Sequence, residues 1–299
     1  MRKIEDIKIL VVGDIMLDHY IEGEVTKISA EAPVPIVDVI RQYSVLGGCG
    51  NVIRNLRSIG VNVDCITSVG RDVNGRKIIK LLHDIGIEKN IYLNSMQTTT
   101  KTRIISNDRQ IQMLRYDEEI IGDIELPIKS IDDNYDIIIV SDYAKGVITE
   151  DLMEILRRTN VKIIVDPKPK NITLYKGIHA ITPNKKEFDA MGIGITFYSV
   201  IGNIKNIIKT LGKDGIVIFE INEDKTITDH YIKSNPVDVY NVSGAGDTVV
   251  AILSACISMG YDIVTSSRIA NQCAGWAVTQ SGTTAVPKEI FNTAITRET

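Results

Sequence analysis

The chain has 299 residues, 44% hydrophobic and 24% charged, a composition that excludes intrinsic disorder and a length that allows a large buried core. Lys plus Arg number 34 against 38 Asp plus Glu, so the formal charge is −4, and the lack of any basic block argues against a nucleic-acid ligand. No apolar run approaches the roughly 20 residues of a membrane span, and Glu5 and Asp6 stand where a signal peptide would need an apolar core, so a cytoplasmic protein is expected.

In chain order, a first strand is predicted over Ile7–Val12, and Gly13-Asp14-Ile15-Met16-Leu17-Asp18 then sets two acids four residues apart at its carboxyl end. Doubly wound sheets bind ligands there, and paired carboxylates suit vicinal hydroxyls; a turn with exposed acids also accounts for them. Residues 20–41 have strand-like patterns broken by polar residues. Gly47-Gly48-Cys49-Gly50-Asn51 then opens a helix over Asn51–Ile59, where Asn51 either donates to a sugar hydroxyl or caps the helix. A strand at Val63–Val69 and a helix at Asn74–Ile85 precede a second strand-like stretch at 98–116. These two stretches have too little apolar content for a core of their own, which predicts a small sheet serving as a lid or a dimer surface.

The second half alternates further. A strand at Asp136–Ser141 leads into Ser141-Asp142-Tyr143-Ala144-Lys145-Gly146, and a helix over Thr149–Arg158 is followed by a strand at Val161–Val165 that leads into Asp166-Pro167-Lys168. A short strand at Ala180–Thr182 passes through Pro183-Asn184-Lys185-Lys186-Glu187 into a helix over Lys185–Met191. The three- and four-residue spacing predicts a helix over Ile201–Leu211, then a strand at Gly215–Glu220 and a hairpin-like pair around Thr226–Tyr231 and Val237–Val242. Helices over Asp247–Ser258, Ile263–Gln280 and from Lys288 onward close the chain. Strands and helices in turn predict an α/β fold with a mostly parallel sheet. Lys145, Lys168, Lys185 and Lys186 then fall along one sheet edge, beside acids able to hold hydrated Mg²⁺, which points to anionic ligands.

The strongest local signal is Asn241-Val242-Ser243-Gly244-Ala245-Gly246-Asp247-Thr248 at the start of an apolar helix. Free N–H groups and the helix dipole make an anion socket there. A carboxylate beside such a socket repels what the socket attracts, unless Asp247 takes the proton from an attacking hydroxyl while the amides hold a phosphoryl group. An N-cap role explains Asp247 equally well on this motif alone. Val249 occupies the third glycine position of a dinucleotide fingerprint, and no GxxxxGK[ST] loop is present. Cys49, Cys65, Cys256 and Cys273 form no CxxC pair and none lies at zinc-ligand spacing from a histidine, so they read as small buried residues of a reducing compartment.

Assembled, these motifs make the sequence resemble the ribokinase-like (PfkB) carbohydrate kinases over nearly its whole length. The resemblance rests on Gly47-Gly48 with Asn51, the Asn184 to Glu187 motif, Thr210-Leu211-Gly212-Lys213-Asp214-Gly215, and Gly244-Ala245-Gly246-Asp247. Val12-Gly13-Asp14 with Met16-Leu17-Asp18, Glu31-Ala32-Pro33-Val34-Pro35, Leu114-Arg115, the Ser141 to Gly146 run and Asp166-Pro167-Lys168 are similar to the heptose 7-phosphate kinases within that family.

The resemblance implies a three-layer sandwich of about nine strands with a small β lid, formed by one domain over residues 1–299 with lid segments near 20–41 and 98–116. It implies ATP-dependent phosphorylation of the C1 hydroxyl of a heptose 7-phosphate, in the making of lipopolysaccharide precursors. Asp247 is then the base, and Gly244, Ala245 and Gly246 the anion hole. Asn184 and Glu187 hold Mg²⁺ through waters, with Lys185 and Lys186 beside them, while Thr210, Gly212 and Gly215 line the nucleotide. Asp14, Asp18, Gly48 and Asn51 grip the sugar, and Lys101, Arg103, Arg115 and Lys145 are candidates for its phosphate.

A homodimer through the lid and a separate adenylyltransferase downstream are also implied, since relatives carry such a domain after the kinase and this chain ends at Thr299. The chain departs from the family in three places: Asn241 stands for an Asp, Gly50 for an Ala, which is expected to loosen its turn, and Pro169 for a Gly. Two other readings are another sugar or nucleoside kinase of the family, and a non-catalytic sensor on the same fold, which has no need of the base.

Overall fold

The fold is taken from a computed structural model, which describes residues 1–107, 111–122, 124–192, 204–235 and 237–298. In chain order the elements are β1 (Lys8–Gly13), β2 (Ile15–Ile28), β3 (Pro35–Gly48), α1 (Cys49–Ile59), β4 (Asn62–Gly70), α2 (Val73–His83), β5 (Ile91–Asn94), β6 (Thr100–Ser106) and β7 (Ile111–Glu118). There follow β8 (Ile137–Ser141), α3 (Glu150–Arg157), β9 (Lys162–Asp166), β10 (Ala180–Ile181), α4 (Lys185–Ala190), β11 (Asn206–Thr210), β12 (Ile216–Ile221), β13 (Ile227–Ile232), α5 (Ala245–Met259), α6 (Ile263–Ala277) and α7 (Lys288–Glu298).

Nine strands form one sheet in the order β13-β12-β11-β10-β9-β8-β1-β4-β5. From β5 to β11 the pairs are parallel, and only β11–β12 and β12–β13 are antiparallel. Period-two burial explains the layers. Ile9 and Val11 of β1, with Ile137 and Ile139 of β8, pack in a core with α1, α2, α5, α6 and α7. Leu10, Val12, Ile138 and Val140 point the other way, into a core with Leu152, Met153 and Leu156 of α3. A strand buried on both faces reads as a continuous apolar run, as β1 and β8 do.

A second sheet has the order β3-β2-β6-β7. Its inner rungs are buried, whereas every residue of β7 is exposed. The strands are longer than the lid segments expected from sequence: β2 starts at Ile15 and β3 runs to Gly48, so Asp18 and Gly47 lie on paired strands rather than in turns.

Three local expectations are corrected. Residues 206–210 of the helix expected at Ile201–Leu211 form β11, and 201–203 lie outside the described residues. Ile207 and Ile208 are buried on opposite faces of the sheet, and two adjacent buried isoleucines mimic a helical spacing. No strand forms at Val237–Val242: Val237, Val239 and Val242 are exposed, and the N–H groups of Tyr240 and Asn241 both bond to the Val278 carbonyl at the end of α6. The partner of the Thr226–Tyr231 strand is β12. The four residues of β5, with a half-exposed pattern, escaped the sequence reading. No helix among the described residues is long and apolar enough to cross a membrane.

Candidate active site

Gly244 precedes α5 in the left-handed conformation, φ 80°, which only glycine adopts freely. A Cβ there would sit 2.5 Å from Asn51 Nδ2, so the bare backbone also makes room for that amide. Ala245, Gly246 and Asp247 form the first turn of α5; the Ala245 N–H bonds the Val242 carbonyl at 3.3 Å, so of the expected Gly244-Ala245-Gly246 anion hole the Gly246 N–H, joined by that of Asp247, is the part left without a carbonyl one turn earlier. Nothing lies within 4 Å of where a Gly246 Cβ would stand, so the socket opens outward. Asp247 is 4% exposed, and burial pushes its carboxyl up to about 6 against the lowering effect of two donors. Tyr143 Oη donates to Oδ1 at 2.6 Å and Asn51 Nδ2 to Oδ2 at 2.9 Å. Asp247 is therefore not the N-cap: its side chain faces across to α1 and to the loop after β8.

The loop after β8 is shaped by acids. Asp14 accepts from the backbone N–H of Tyr143 at 2.8 Å, of Lys145 at 3.1 Å and of Val147 at 3.0 Å, and burial pushes its carboxyl up to about 6. Asp142 accepts from the Ala144 N–H, Asn171 Nδ2 and Tyr175 Oη, which lets Ala144 hold a positive φ of 54°. Tyr175 Oη in turn accepts from the Lys168 N–H.

The inner end of the second sheet carries a buried pair: Arg103 Nη1 donates to Asp18 Oδ1 at 2.6 Å, with both residues 6% exposed. A Cβ on Gly47 would meet Asp18 Oδ2 at 2.5 Å, so the carboxylate lies directly against that glycine. Gly48, φ 58°, would bring a Cβ within 2.4 Å of the Asp14 carbonyl. Lys101 of β6 and Lys168 after β9 place their ammonium groups 5.4 Å and 5.1 Å from the centre of the Tyr143 ring. Asp166, 8% exposed, is pushed up to about 8 by burial; Lys168 lowers it, while Glu187 and Asp247 add to the rise.

Asp14, Asp18, Asn51, Arg103, Lys101 and Asp247 thus come together, although Asp14 and Asn51 are turned to the loop and to Asp247 respectively. Lys145 pairs with Glu119 at 2.5 Å, and Arg115 with Asp117 on exposed β7. Asn184 and Glu187 close a capping box on α4, and Lys168 Nζ bonds Glu187 Oε1. Lys185 bonds Asp189 on the surface of α4, and Lys186 is exposed. Thr210 bridges to Asn184, and Gly212 and Gly215, both at positive φ, bound the turn between β11 and β12.

A groove of about 530 Å³ lies between β13 and α6, lined by Tyr231, Ser234, Asn271, Gly275, Trp276 and Thr279. Its lining and the role of the Tyr143 hydroxyl were missed from sequence; Tyr143 lay in a singled-out motif, but only the fold brings it to Asp247.

Asn184 and Glu187 offer oxygen donors, which suit a hard, hydrated cation such as Mg²⁺. Among the described residues no group of three acidic, histidine or cysteine side chains is placed to hold a metal ion. Of the family departures, Asn241 keeps its local role, since Oδ1 accepts from the Ser243 N–H, and Pro169 occupies the first position of a 3₁₀ turn where its lost N–H costs nothing. Gly50 does not loosen its turn: a Cβ would meet Leu46 Cβ at 2.8 Å and Ile15 at 3.1 Å, so the site is packed tight. Cys49, fully buried, donates to the Gly13 carbonyl, and burial holds its thiol well above the usual range.

The family model for pfkB carbohydrate kinases matches residues 6–290. "Bifunctional protein HldE" of Aliarcobacter butzleri is 38% identical over 95% of this chain and 63% of its own length, and that of Sulfurimonas denitrificans is 36% identical over 93% and 62%. The chain therefore spans about 63% of the first of these relatives. Among solved structures, phosphofructokinase-2 of Escherichia coli in complex with substrates and products superposes with a TM-score of 0.75 at 16% identity, covering 97% of each chain, a likeness of fold alone.

Proposed function

The chain belongs to the pfkB family of carbohydrate kinases, and on that premise we propose that it phosphorylates the C1 hydroxyl of D-glycero-β-D-manno-heptose 7-phosphate at the expense of ATP. The observation that carries this is Asp247, a buried carboxylate with a pKa near 6 at the mouth of a helix. At neutral pH it is ionised and able to take a proton, and one positioned base contributes roughly 10²–10⁴-fold. Each carboxylate oxygen accepts one hydrogen bond, from Tyr143 or Asn51, and an ionised carboxylate oxygen has a second lone pair for the sugar hydroxyl.

In this reading the first-turn N–H groups of α5 at Gly246 and Asp247 stabilise the charge on the transferring phosphoryl group. Asp18, held by Arg103, is the candidate acceptor for sugar hydroxyls. Asp14 supports the site from behind through the loop it holds. Lys101 and Lys145, near the inner end of the second sheet, are the candidates for the 7-phosphate, and exposed Arg115 for its outer rim. ATP fits along the groove between β13 and α6, past Thr210, Gly212 and Gly215. Asn184 and Glu187 would hold Mg²⁺ through water, where it would supply positive charge against that of the phosphates. For Glu187 to do so, Lys168 has to release Oε1, which frees its ammonium group for a phosphate.

A homodimer through the second sheet belongs to this reading, because β7 leaves Ile111, Leu114 and Tyr116 exposed. So does an adenylyltransferase acting on the product, and a cytoplasmic setting, which the buried free thiols suit. The test is ADP release from Mg-ATP with heptose 7-phosphate, fructose 6-phosphate, ribose and adenosine in parallel. Turnover is expected with the first; preference for another acceptor replaces the substrate but keeps the site. Ligand binding without ADP from any of them would return the chain to a sensor.

A further inference from the structure

One side chain touches both the candidate base and the cations around it. Tyr143 stands on a loop pinned from two sides, its own N–H on Asp14 and the next N–H on Asp142. Its hydroxyl reaches Asp247 Oδ1 at 2.6 Å. Over its ring lie the ammonium groups of Lys101, from the second sheet, and Lys168, from the large one. Cations over an aromatic face are held by its quadrupole. A phenol hydrogen bonded to a carboxylate holds that carboxylate's plane and favours its ionised form.

We propose that Tyr143 is a positioning residue for phosphoryl transfer: its hydroxyl orients Asp247, and its ring seats Lys101 and Lys168. The proposal rests on Asp247 being the base. Burial and the nearby Asp247, Asp166 and Asp18 carboxylates raise the phenol's pKa well above its usual range, so it remains a donor at every pH at which the protein works.

The groups that face Asp247 are Asn51 and Cys49 of α1, Asp18 of β2, Lys101 of β6, and Asp166 at the end of β9. Asp166, raised to about 8, and Asp14, raised to about 6 on the far side of the loop, also bear on a pH profile. A Tyr143→Phe change separates them from Asp247, because Asp14 holds only the backbone N–H of residue 143, which Phe retains, and among the described residues the phenol oxygen bonds Asp247 alone.

The experiment measures kcat and KM from pH 5 to 9 on the purified chain with the best acceptor of the panel. In Tyr143→Phe the acid limb of kcat/KM is expected to move to higher pH by about one unit, and kcat to fall on the order of 10-fold, with KM within about twofold. Tyr143→Leu, which removes the ring as well, is expected to raise the KM for the sugar phosphate about tenfold further. A 3-fluorotyrosine at 143, a more acidic donor of nearly the same size, is expected to move the acid limb the other way, and it serves if the Phe variant fails to fold. An unmoved limb in both the Phe and the fluorotyrosine proteins overturns the role of Tyr143. The control is Asp247→Asn: if it is inactive while the limb stays put, only Tyr143 loses its role, whereas near-normal turnover removes the base and Tyr143 with it.

Discussion

Replacing Asp14 by Ala separates a scaffolding acid from a sugar ligand. The carboxylate is 1% exposed and accepts from three backbone N–H groups of the loop that carries Tyr143 and Lys145. Hydrogen bonds to a charged group contribute about 1.5–3 kcal/mol each, so the three together amount to roughly 5–9 kcal/mol. Against this, burial and the nearby Asp142 outweigh those donors and hold the carboxyl up at about 6, so removing the charge offsets part of that sum. The expected net loss is about 2–6 kcal/mol. Urea unfolding at pH 7, followed by far-UV circular dichroism, reads it as a lower midpoint with an unchanged slope. Turnover should fall as well, because the loop then no longer presents Tyr143 to Asp247. A variant whose stability stays within roughly 0.5 kcal/mol of the parent, with a raised KM for the sugar, would refute the argument and return Asp14 to the hydroxyl-binding role.

Asp247→Asn should lose turnover by about 10²–10⁴-fold while keeping ATP affinity, measured by calorimetry. It should also melt no lower than the parent at pH 8. The sign follows from the folded carboxyl at about 6 lying above its unfolded value of 3.8: between those values the folded state holds more protons, so stability declines as pH rises and the full cost is present above about 6. Asp14 and Asp166 act in the same sense, the latter up to about pH 8, so the urea midpoint should be higher at pH 5 than at pH 8. Arg103→Ala should destabilise by about 3–5 kcal/mol, since it leaves the buried Asp18 carboxylate without its partner; a change under 1 kcal/mol would mean that water reaches that pair. Gly244→Ala should cost about 1–3 kcal/mol from the positive φ and also reduce kcat, because its Cβ displaces Asn51; unaltered kcat would show that Asn51 does not orient Asp247.

The parts legible in the sequence were those with a period or a punctuating residue. The β1 and β8 runs, the glycines at 47, 48 and 244, and the Asn184 to Glu187 cap all announce local geometry. Direction of a side chain across the fold has no such signal. Asp14 and Asp18 look alike in sequence, four residues apart, yet one turns to a loop 129 residues later and the other to Arg103 on a neighbouring strand. Tyr143 meets Asp247 across 104 residues. β11 was hidden for a different reason: it is buried on both faces, and a short run of that kind carries no period of two.

β2 and β3 run as continuous ribbons from the acids at 14 and 18 out to Ile28 and Pro35, so the outer sheet is an arm whose near end is a wall of the candidate site. Force applied at its far rungs arrives at Asp18 through rows of backbone hydrogen bonds, without a slack connector in between. The pairing slips between Glu22 and Gly23 and again between Glu24 and Lys27, and these are the joints at which such an arm bends. Whatever settles on the distal rungs is therefore felt at the inner wall only to the extent that those joints are stiff.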